Sequence, residues 1–379
     1  MNRLPACLAW IMKYRDLGDG TGAGMAGACR CPGVIVPEIW VRSDQTPCEA
    51  AKVALVTDIV VLGSINRDLV LTLDRLPVSG ETVTASGMRV LHGGKGANQA
   101  FAAAMTGGSV AMAGRVGTDP EGAEQIAALA AAGVDVAYIR QDPRAPTGTA
   151  VVMVDSAGHN SIAVVPGANG LLDEEAVEQA APLIEKARIL LLQLEVPDAA
   201  VSRAVAVAAR VGVATILNVA PYRDVPARLL RDVDYLLANE TEAAALLGAG
   251  VGSVAEAADA ADAIRRLGPS WGMITLGARG TVAAGADGRL HEPALAVDAV
   301  DTTGAGDVFA GALAVGLVEG WPVSEAVRLA SAAAGVSVTR EGARGLLPGD
   351  AAAVRAVAAG PSSISAERNR SGTATPPTR

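Results

Sequence analysis

The amino-acid sequence predicts an α/β protein with a doubly wound, mostly parallel, Rossmann-like β-sheet and a small β-sheet lid. From residue 173 onward, amphipathic helical segments alternate regularly with short apolar runs. Such alternation is typical of a parallel sheet with helices on both faces. The apolar runs, for example Ile189 to Leu194, have the length of buried strands. Two extended segments, at about 68–91 and 149–165, interrupt the alternation, and they predict the small separate sheet.

The individual elements follow from the apolar periodicity and from the positions of Gly and Pro. In the first half, the predicted strands are 58–63, 110–116 and a hairpin of 149–154 with 161–165, and the predicted helices are 97–105 and 121–132. The segments 69–73 and 81–90 have β character. In the second half, the predicted helices are 174–186, 199–211, 240–247 and 254–267, and the predicted strands are 189–194, 214–218, 235–238 and 273–276. Ligands of such sheets bind at the carboxyl ends of the strands.

The composition argues against several classes of function. The formal net charge of −9 argues against a nucleic-acid-binding surface, although backbone dipoles can still bind a phosphate inside an acidic protein. No apolar stretch reaches the roughly 18 residues that a membrane span needs. The three histidines, His92, His159 and His291, are scattered, and we expect them in loops or on the surface. A His-rich metal site or a Ser-His-Asp triad is therefore not predicted.

The two ends of the chain differ in character from the rest. Residues 1–55 contain a Gly-rich, aperiodic stretch, and we expect this extension to be disordered or to reflect a start codon assigned too early. All four cysteines lie in it: Cys7, Cys29, Cys31 and Cys48. The body, residues 56–359, is accordingly expected to be a disulfide-free, cytoplasmic enzyme. Residues 360–379 are rich in Ser, Thr, Pro and Arg, and they predict a disordered tail.

The most informative motif extends from Asp301 to Asp307 and continues directly into an apolar helical pattern. Gly304 and Gly306 permit a sharp turn and the close approach of a ligand. The free N–H groups and the dipole of a helix N-terminus favour an anion there. A carboxylate beside this anion hole is suited to take a proton from a hydroxyl that attacks a phosphate. The alternative is that Asp307 only caps the helix.

Two further groups of polar residues follow strands in the first half of the chain. Asn66 and Asp68 face the same way in an extended segment and suit vicinal hydroxyls, although an Asx turn would also explain them. The run 93–99 opens a helix but lacks the spacing of a P-loop or of a dinucleotide-binding fingerprint. Lys95 and Asn98 in this run offer donors for polyol oxygens, with a purely structural turn as the alternative.

Taken together, these motifs resemble the ribokinase-like family of ATP-dependent sugar kinases over about residues 57–350. Six segments carry the resemblance in the same order and spacing: 62–68, 93–99, 193–195, 239–242, 275–280 and 301–307. The run 93–99 resembles the ribokinase branch more closely than the fructokinase or adenosine kinase branches. The resemblance implies the ribokinase fold, ATP as co-substrate, Mg²⁺ and K⁺ as cofactors, and a homodimer formed through the lid sheets.

The resemblance also implies a role for each matching residue, beginning with Asp307 as the catalytic base. The sugar would be held by Asn66, Asp68, Gly94, Lys95, Asn98, Glu195 and Asp307. ATP would contact Asn239, Thr275, Gly277, Gly280 and the anion hole of Gly304, Ala305 and Gly306. A monovalent cation would bind Asp301 and carbonyl groups of Thr303, Ser337, Arg340 and Gly342, and Glu242 would organise Mg²⁺ mostly through water. Three residues depart from the family pattern: Leu346 replaces a cation-site Ser, Ser331 replaces a His that often borders the nucleotide, and Arg67 replaces a small residue.

The implied reaction transfers the γ-phosphate of ATP to the O5 hydroxyl of D-ribose and gives D-ribose 5-phosphate. Deoxyribose, another sugar or a nucleoside remain alternative acceptors. Only 3% of the residues are aromatic, which argues weakly against a pocket for a nucleoside base. A non-catalytic sugar sensor is a further alternative, against which the intact Asp307 and the anion-hole glycines argue.

Overall fold

The computed structural model describes residues 57–360. The expectations for residues 1–55 and 361–379, including all four cysteines, lie outside the described residues. The strands are β1 Ile59–Leu62, β2 Asn66–Thr72, β3 Gly87–Gly93, β4 Val110–Gly117, β5 Asp135–Asp142, β6 Gly148–Val154, β7 Asn160–Val165, β8 Ile189–Leu192, β9 Ala214–Asn218, β10 Tyr235–Asn239, β11 Trp271–Thr275, β12 Thr281–Gly285 and β13 Gly288–Glu292. The helices are α1 Lys95–Met105, α2 Pro120–Ala131, α3 Glu174–Ile184, α4 Asp198–Val211, α5 Ala227–Leu230, α6 Glu240–Leu247, α7 Val254–Arg266, α8 Ala305–Val318, α9 Val323–Ser337 and α10 Asp350–Ala358.

Nine strands form the main sheet, in the order β13-β12-β11-β10-β9-β8-β1-β4-β5. The β11–β12 and β12–β13 pairs are antiparallel, and all other pairs of the sheet, including β10–β11, are parallel. From β1 the chain continues outward through β4 and β5, and it then returns to β8 on the other side of β1. This reversal is the topological switch point, where open α/β sheets bind their ligands.

The sheet is buried on both faces, as the predicted fold class requires. Successive residues of β1 point to opposite faces. Ile59 and Val61 pack in one core with α1, α8 and α9, whereas Val60 and Leu62 pack in a second core with α3, α4 and α7. All four side chains are buried, which explains why the strand consists of consecutive apolar residues rather than alternating ones.

Local sequence signals fix the bounds of several helices. The Asp119 side chain accepts a hydrogen bond from the N–H of Gly122 at 2.8 Å and caps α2, whose first residue is Pro120. Helix α6 begins with a capping box between Asn239 and Glu242. It ends at Gly248, which has φ of 66° and terminates the helix in the left-handed conformation.

The predicted lid is a separate four-stranded sheet in the order β3-β2-β6-β7. The hairpin of β6 and β7 confirms the sequence prediction almost to the residue. The β character predicted for 81–90 is wrong over 81–86, because the strand begins only at Gly87. Within the described residues, no helix is sufficiently long and apolar to span a lipid bilayer.

Several elements differ from the sequence prediction. Helix α1 begins at Lys95 rather than at residue 97, because Gly94 has φ of 86° and ends the preceding strand abruptly. The chain also contains elements that the periodicity did not predict: β5, β12, β13, α5, α9 and α10. The prediction of loop or surface histidines is wrong for His92 and His291, which lie half-buried on β3 and β13.

Candidate active site

Two cavities, of about 490 and 770 Å³, lie at the carboxyl ends of the parallel strands. They meet at the segment that leads into α8, because Ala299 and Thr302 line both. Gly306 faces the smaller cavity and Asp307 the larger one. The predicted anion hole and the predicted base therefore stand where the two cavities join.

The turn before α8 has the geometry that the sequence predicts. Gly304 has φ of 74°, and a Cβ atom on it would lie 2.6 Å from the carbonyl oxygen of Ala343. The N–H of Ala305 donates to Thr302 at 3.2 Å, so this group of the predicted anion hole is already engaged. The N–H groups of Gly306 and Asp307 have no acceptor among residues 57–360. These two groups can therefore bind an anion.

The Asp307 carboxylate is buried and held by two side-chain amides of α1. Asn98 Nδ2 donates to Oδ2 at 3.2 Å, and Gln99 Nε2 donates to Oδ1 at 3.0 Å. Gln99 is oriented in turn, since its Oε1 accepts a hydrogen bond from Gln193 Nε2 at 2.7 Å. Its Nε2 also lies 3.1 Å from Asn218 Oδ1. Asp307 is therefore an oriented carboxylate, and it does not cap its own helix, which lacks a side-chain cap.

All seven residues predicted to hold the sugar line the larger cavity: Asn66, Asp68, Gly94, Lys95, Asn98, Glu195 and Asp307. Burial, with the nearby carboxylates of Glu195 and Asp307, raises the pKa of Asp68 to about 6. Burial alone would lower the pKa of Lys95, but the surrounding carboxylates outweigh it and raise that pKa. The cavity thus combines one ammonium group with several carboxylates.

One carboxylate oxygen in this cavity needs a partner. Oδ1 of Asp68 is buried and has no hydrogen-bond partner in the described part of the chain. An unsatisfied buried acceptor costs about 1–3 kcal/mol, and a hydroxyl donor from a ligand would satisfy it. Asn66 Oδ1 accepts from Asn169 at 2.7 Å, and Glu195 accepts from Ser64 Oγ at 2.5 Å and from the N–H of Lys95 at 3.1 Å. Neighbouring groups therefore fix the side chains that surround the free oxygen.

The smaller cavity contains most of the residues predicted to contact ATP: Asn239, Thr275, Gly277, Gly280, Ala305 and Gly306. Gly304 faces the larger cavity instead. Ser331, which replaces the usual His, also lines the smaller cavity, and its Oγ is buried without a hydrogen-bond partner among the described residues. Phe309 and Leu295 contribute apolar surface, so the cavity offers both apolar walls and polar groups.

Glu242 lies outside both linings but close to the site. Its Oε2 accepts from the N–H of Asn239 at 2.8 Å within the capping box. Burial raises the pKa of Glu242, while this hydrogen bond and the charge of Lys95 oppose the rise. Within residues 57–360, no group of three or more His, Cys, Asp or Glu side chains is placed to hold a metal ion.

The segments predicted to bind a monovalent cation are adjacent. Asp301 accepts hydrogen bonds from the N–H of Thr303 at 2.9 Å and of Gly342 at 2.8 Å. Burial would raise the pKa of Asp301, but these hydrogen bonds outweigh it and lower the pKa. Asp301, Thr303 and Gly342 line the larger cavity, whereas Ser337 and Arg340 line neither cavity. Leu346 is buried in the core.

Sequence reasoning did not identify several residues of the site. Gln99 and Gln193 lie within recognised motifs, but no local signal assigns them to the Asp307 network. Asn218 could have been found as a polar residue at the end of an apolar strand, β9. His92 lines the larger cavity, and its Nδ1 is buried with no partner among the described residues.

Comparisons with known proteins agree with this geometry. The chain is 38% identical over 290 residues to a ribokinase of Haemophilus influenzae, with 76% of this chain and 95% of the relative covered. It is 34% identical over 292 residues to a deoxyribokinase of Salmonella typhi, with 77% and 95% covered. The structure of Arabidopsis thaliana ribokinase complexed with ribose and ATP matches with a TM-score of 0.75 and 35% identity, covering 80% of this chain and 99% of that one. The model of the pfkB family carbohydrate kinase matches residues 56–349, and the chain therefore belongs to the pfkB family of carbohydrate kinases.

Proposed function

We propose that this carbohydrate kinase transfers the γ-phosphate of ATP to the O5 hydroxyl of D-ribose. The observation that carries the proposal is the junction of the two cavities, with free N–H groups of Gly306 and Asp307 beside an oriented carboxylate. The similarity to ribokinases supports ribose as the acceptor and ATP as the donor.

In the proposed complex, the sugar occupies the larger cavity. The free Oδ1 of Asp68 accepts a hydrogen bond from a ring hydroxyl. Asn66, Lys95, Asn98 and Glu195 line the same cavity and supply donors and acceptors to the remaining hydroxyls. Lid residues also line this cavity, so the lid sheet helps to exclude water that would otherwise hydrolyse ATP.

Asp307 then acts as the general base on the attacking hydroxyl. Because Asn98 and Gln99 each donate to one of its oxygens, the carboxylate keeps a fixed orientation toward the sugar cavity. It accepts the proton of the O5 hydroxyl as that oxygen attacks the γ-phosphate in line. The N–H groups of Gly306 and Asp307 stabilise the negative charge that develops on the transferred group.

The donor set fits Mg²⁺ held chiefly by phosphate and water. Glu242 is close enough to Lys95 and Asp307 for their charges to act on it, and one of its oxygens makes no hydrogen bond within residues 57–360. Bound Mg²⁺ would neutralise phosphate charge. Glu242 would orient the water around it, since no cluster of protein ligands among the described residues could hold the ion alone.

A monovalent cation such as K⁺ would bind beside the anion hole. Asp301 supplies one negative charge, and hydrogen bonds from the N–H groups of Val300 and Asp301 to the carbonyl of Val338 hold segment 300–303 against segment 337–342. One carboxylate with several carbonyls is an oxygen donor set of low charge, which suits such an ion. Leu346 supplies no oxygen there, so we expect weaker binding than with the family's Ser.

Deoxyribose is the second candidate acceptor, because the chain is also similar to a deoxyribokinase. Release of ADP should be measured with D-ribose, 2-deoxy-D-ribose, other sugars and nucleosides. The proposal predicts the highest kcat/KM with D-ribose and strict dependence on ATP. Preference for deoxyribose or a nucleoside would reassign the acceptor, and sugar binding without turnover would indicate a sensor.

We also propose that two copies associate through their lid sheets. Edge strands β3 and β7 expose a group of apolar side chains, which is typical of a protein interface. They are Met88, Val90, Ile162, Val164 and Val165.

We assign the kinase domain to residues 56–359, which the family match and the end of α10 support. We propose a cytoplasmic location because ATP is the co-substrate.

A further inference from the structure

Arg344 is a cation in an unusual environment at the edge of the active site. Its Nε donates to Asn98 Oδ1 at 3.2 Å, and its Nη2 lies 3.5 Å from Gln125 Oε1. The guanidinium carbon lies 5.5 Å from the centre of the Phe101 ring. Gln125 is buried, and Arg344 itself is largely enclosed. The three groups that contact the guanidinium, two side-chain amides and one aromatic ring, are all uncharged.

No carboxylate within residues 57–360 forms an ion pair with Arg344, although most arginines near it in the sequence have one. Burial lowers the pKa of Arg344 to about 10, while the charges of Asp68 and Asp307 oppose the change. Burying a cation without an ion-pair partner is costly. An apolar side chain of similar length would fill the same space. Packing alone therefore does not explain an arginine here, whereas a requirement for a hydrogen-bond donor does.

A guanidinium can only donate hydrogen bonds. The Asn98 side chain must therefore turn its oxygen toward Arg344, which turns its NH₂ group toward Asp307. In the reverse orientation, Asn98 would present its NH₂ to a donor and its oxygen to a carboxylate. The other oxygen of Asp307 has a parallel arrangement, in which Gln193 orients Gln99. Gln193 is itself an amide that can rotate, whereas Arg344 fixes one orientation.

We propose that Arg344 is a positioning residue, which holds the Asn98 amide so that its NH₂ group orients the catalytic carboxylate of Asp307. It contacts neither cavity directly and acts through Asn98. This inference rests on the proposed kinase function. Loss of the Arg344 donor allows the Asn98 amide to rotate and lose its hydrogen bond to Asp307, so the effect falls on turnover more than on ATP binding.

The test compares Arg344→Met, which keeps the apolar stem but cannot donate, with Arg344→Lys, which is still only a donor. Arg355→Met is the matched control, because Arg355 also lies 5.5 Å from an aromatic ring, that of Trp321, but it pairs with Glu319 and has no hydrogen bond to Asn98. We expect Arg344→Met to lower kcat on the order of tenfold, as for one lost hydrogen bond to a charged group, with KM for ATP unchanged. Arg344→Lys should lose less, and Arg355→Met should keep the wild-type kcat.

A double-mutant cycle with Asn98→Ala separates positioning from general destabilisation. If Arg344 acts through Asn98, Arg344→Met has no further effect on kcat in the Asn98→Ala background. Should the Met variant not fold, Arg344→Gln replaces it in the cycle, because its amide can donate or accept and so does not fix the orientation of Asn98. An unchanged kcat in folded Arg344→Met, or the same fold-loss in the Asn98→Ala background, would overturn the inference. A wild-type protein that phosphorylates no sugar would instead contradict the proposed function, independently of Arg344.

Discussion

Gly304 and Gly306 stand two residues apart in one motif, but the structure predicts opposite effects for their replacement by Ala. Gly304 adopts φ of 74°, a left-handed conformation that costs a non-glycine residue about 1–2 kcal/mol. The new Cβ atom would also lie 2.6 Å from the carbonyl oxygen of Ala343, so the turn must shift. At roughly 2–4 °C per kcal/mol, Gly304→Ala should lower Tm by about 2–8 °C. The shift also displaces the anion hole, so kcat should fall.

Gly306→Ala is the matched control for that experiment. Apart from its chain neighbours and the backbone of its own helix, no atom lies within 4 Å of a Cβ placed on Gly306. This residue is in the first turn of α8, where Ala is the better helix former. We expect an unchanged or higher Tm, with a raised KM for ATP because the methyl group projects into the smaller cavity. Thermal unfolding and steady-state kinetics of both variants provide the readout. If Gly304→Ala keeps the wild-type Tm and kcat, the argument from backbone conformation is refuted.

Two further predictions concern charge and the cation. The raised pKa of Asp68, about 6, means that the folded protein binds this proton more tightly than the unfolded chain does, so ionisation of Asp68 destabilises the fold as the pH rises from about 4 to 6. The free energy of unfolding of Asp68→Asn, measured in urea, should therefore increase relative to wild type across this window, and a constant difference would contradict the assignment. K⁺, titrated at constant ionic strength, should raise kcat, and Leu346→Ser should bind it more tightly. Equal activity without K⁺ would contradict the proposed cation site, and an unchanged K⁺ affinity of the variant would contradict only the role of Leu346.

The sequence predicted the fold best where apolar periodicity is strong. Strand β9 and helix α6 match the predicted bounds, since each combines a clear pattern with a Gly or Asn boundary. Strand β12 was not predicted, because its sequence Thr281–Gly285 is mostly Ala and Gly, which have low β propensity. Its burial within the sheet makes it a strand. Strand β5 lies at the sheet edge and half of its residues are exposed, which weakens its apolar pattern.

The candidate site was predicted where its residues stand in local motifs. Asp307 and its glycines, or Asn66 and Asp68, are adjacent in sequence, so their chemistry can be inferred before the fold is known. Gln99 and Arg344 act through residues more than 200 positions away. Only the packing of α1 against α8 and the loop after α9 reveals these contacts, and no spacing in the sequence encodes them.

The central claim is that Asp307 is the base in an ATP-dependent phosphorylation of a sugar, and Asp307→Asn tests it most directly. An amide at this position cannot take the proton, and it accepts from only one of Asn98 and Gln99. We expect kcat to fall on the order of 10²–10⁴, the range for loss of a general base, while the sugar dissociation constant, measured by calorimetry, stays close to wild type. Turnover close to wild type in the folded variant would contradict the account.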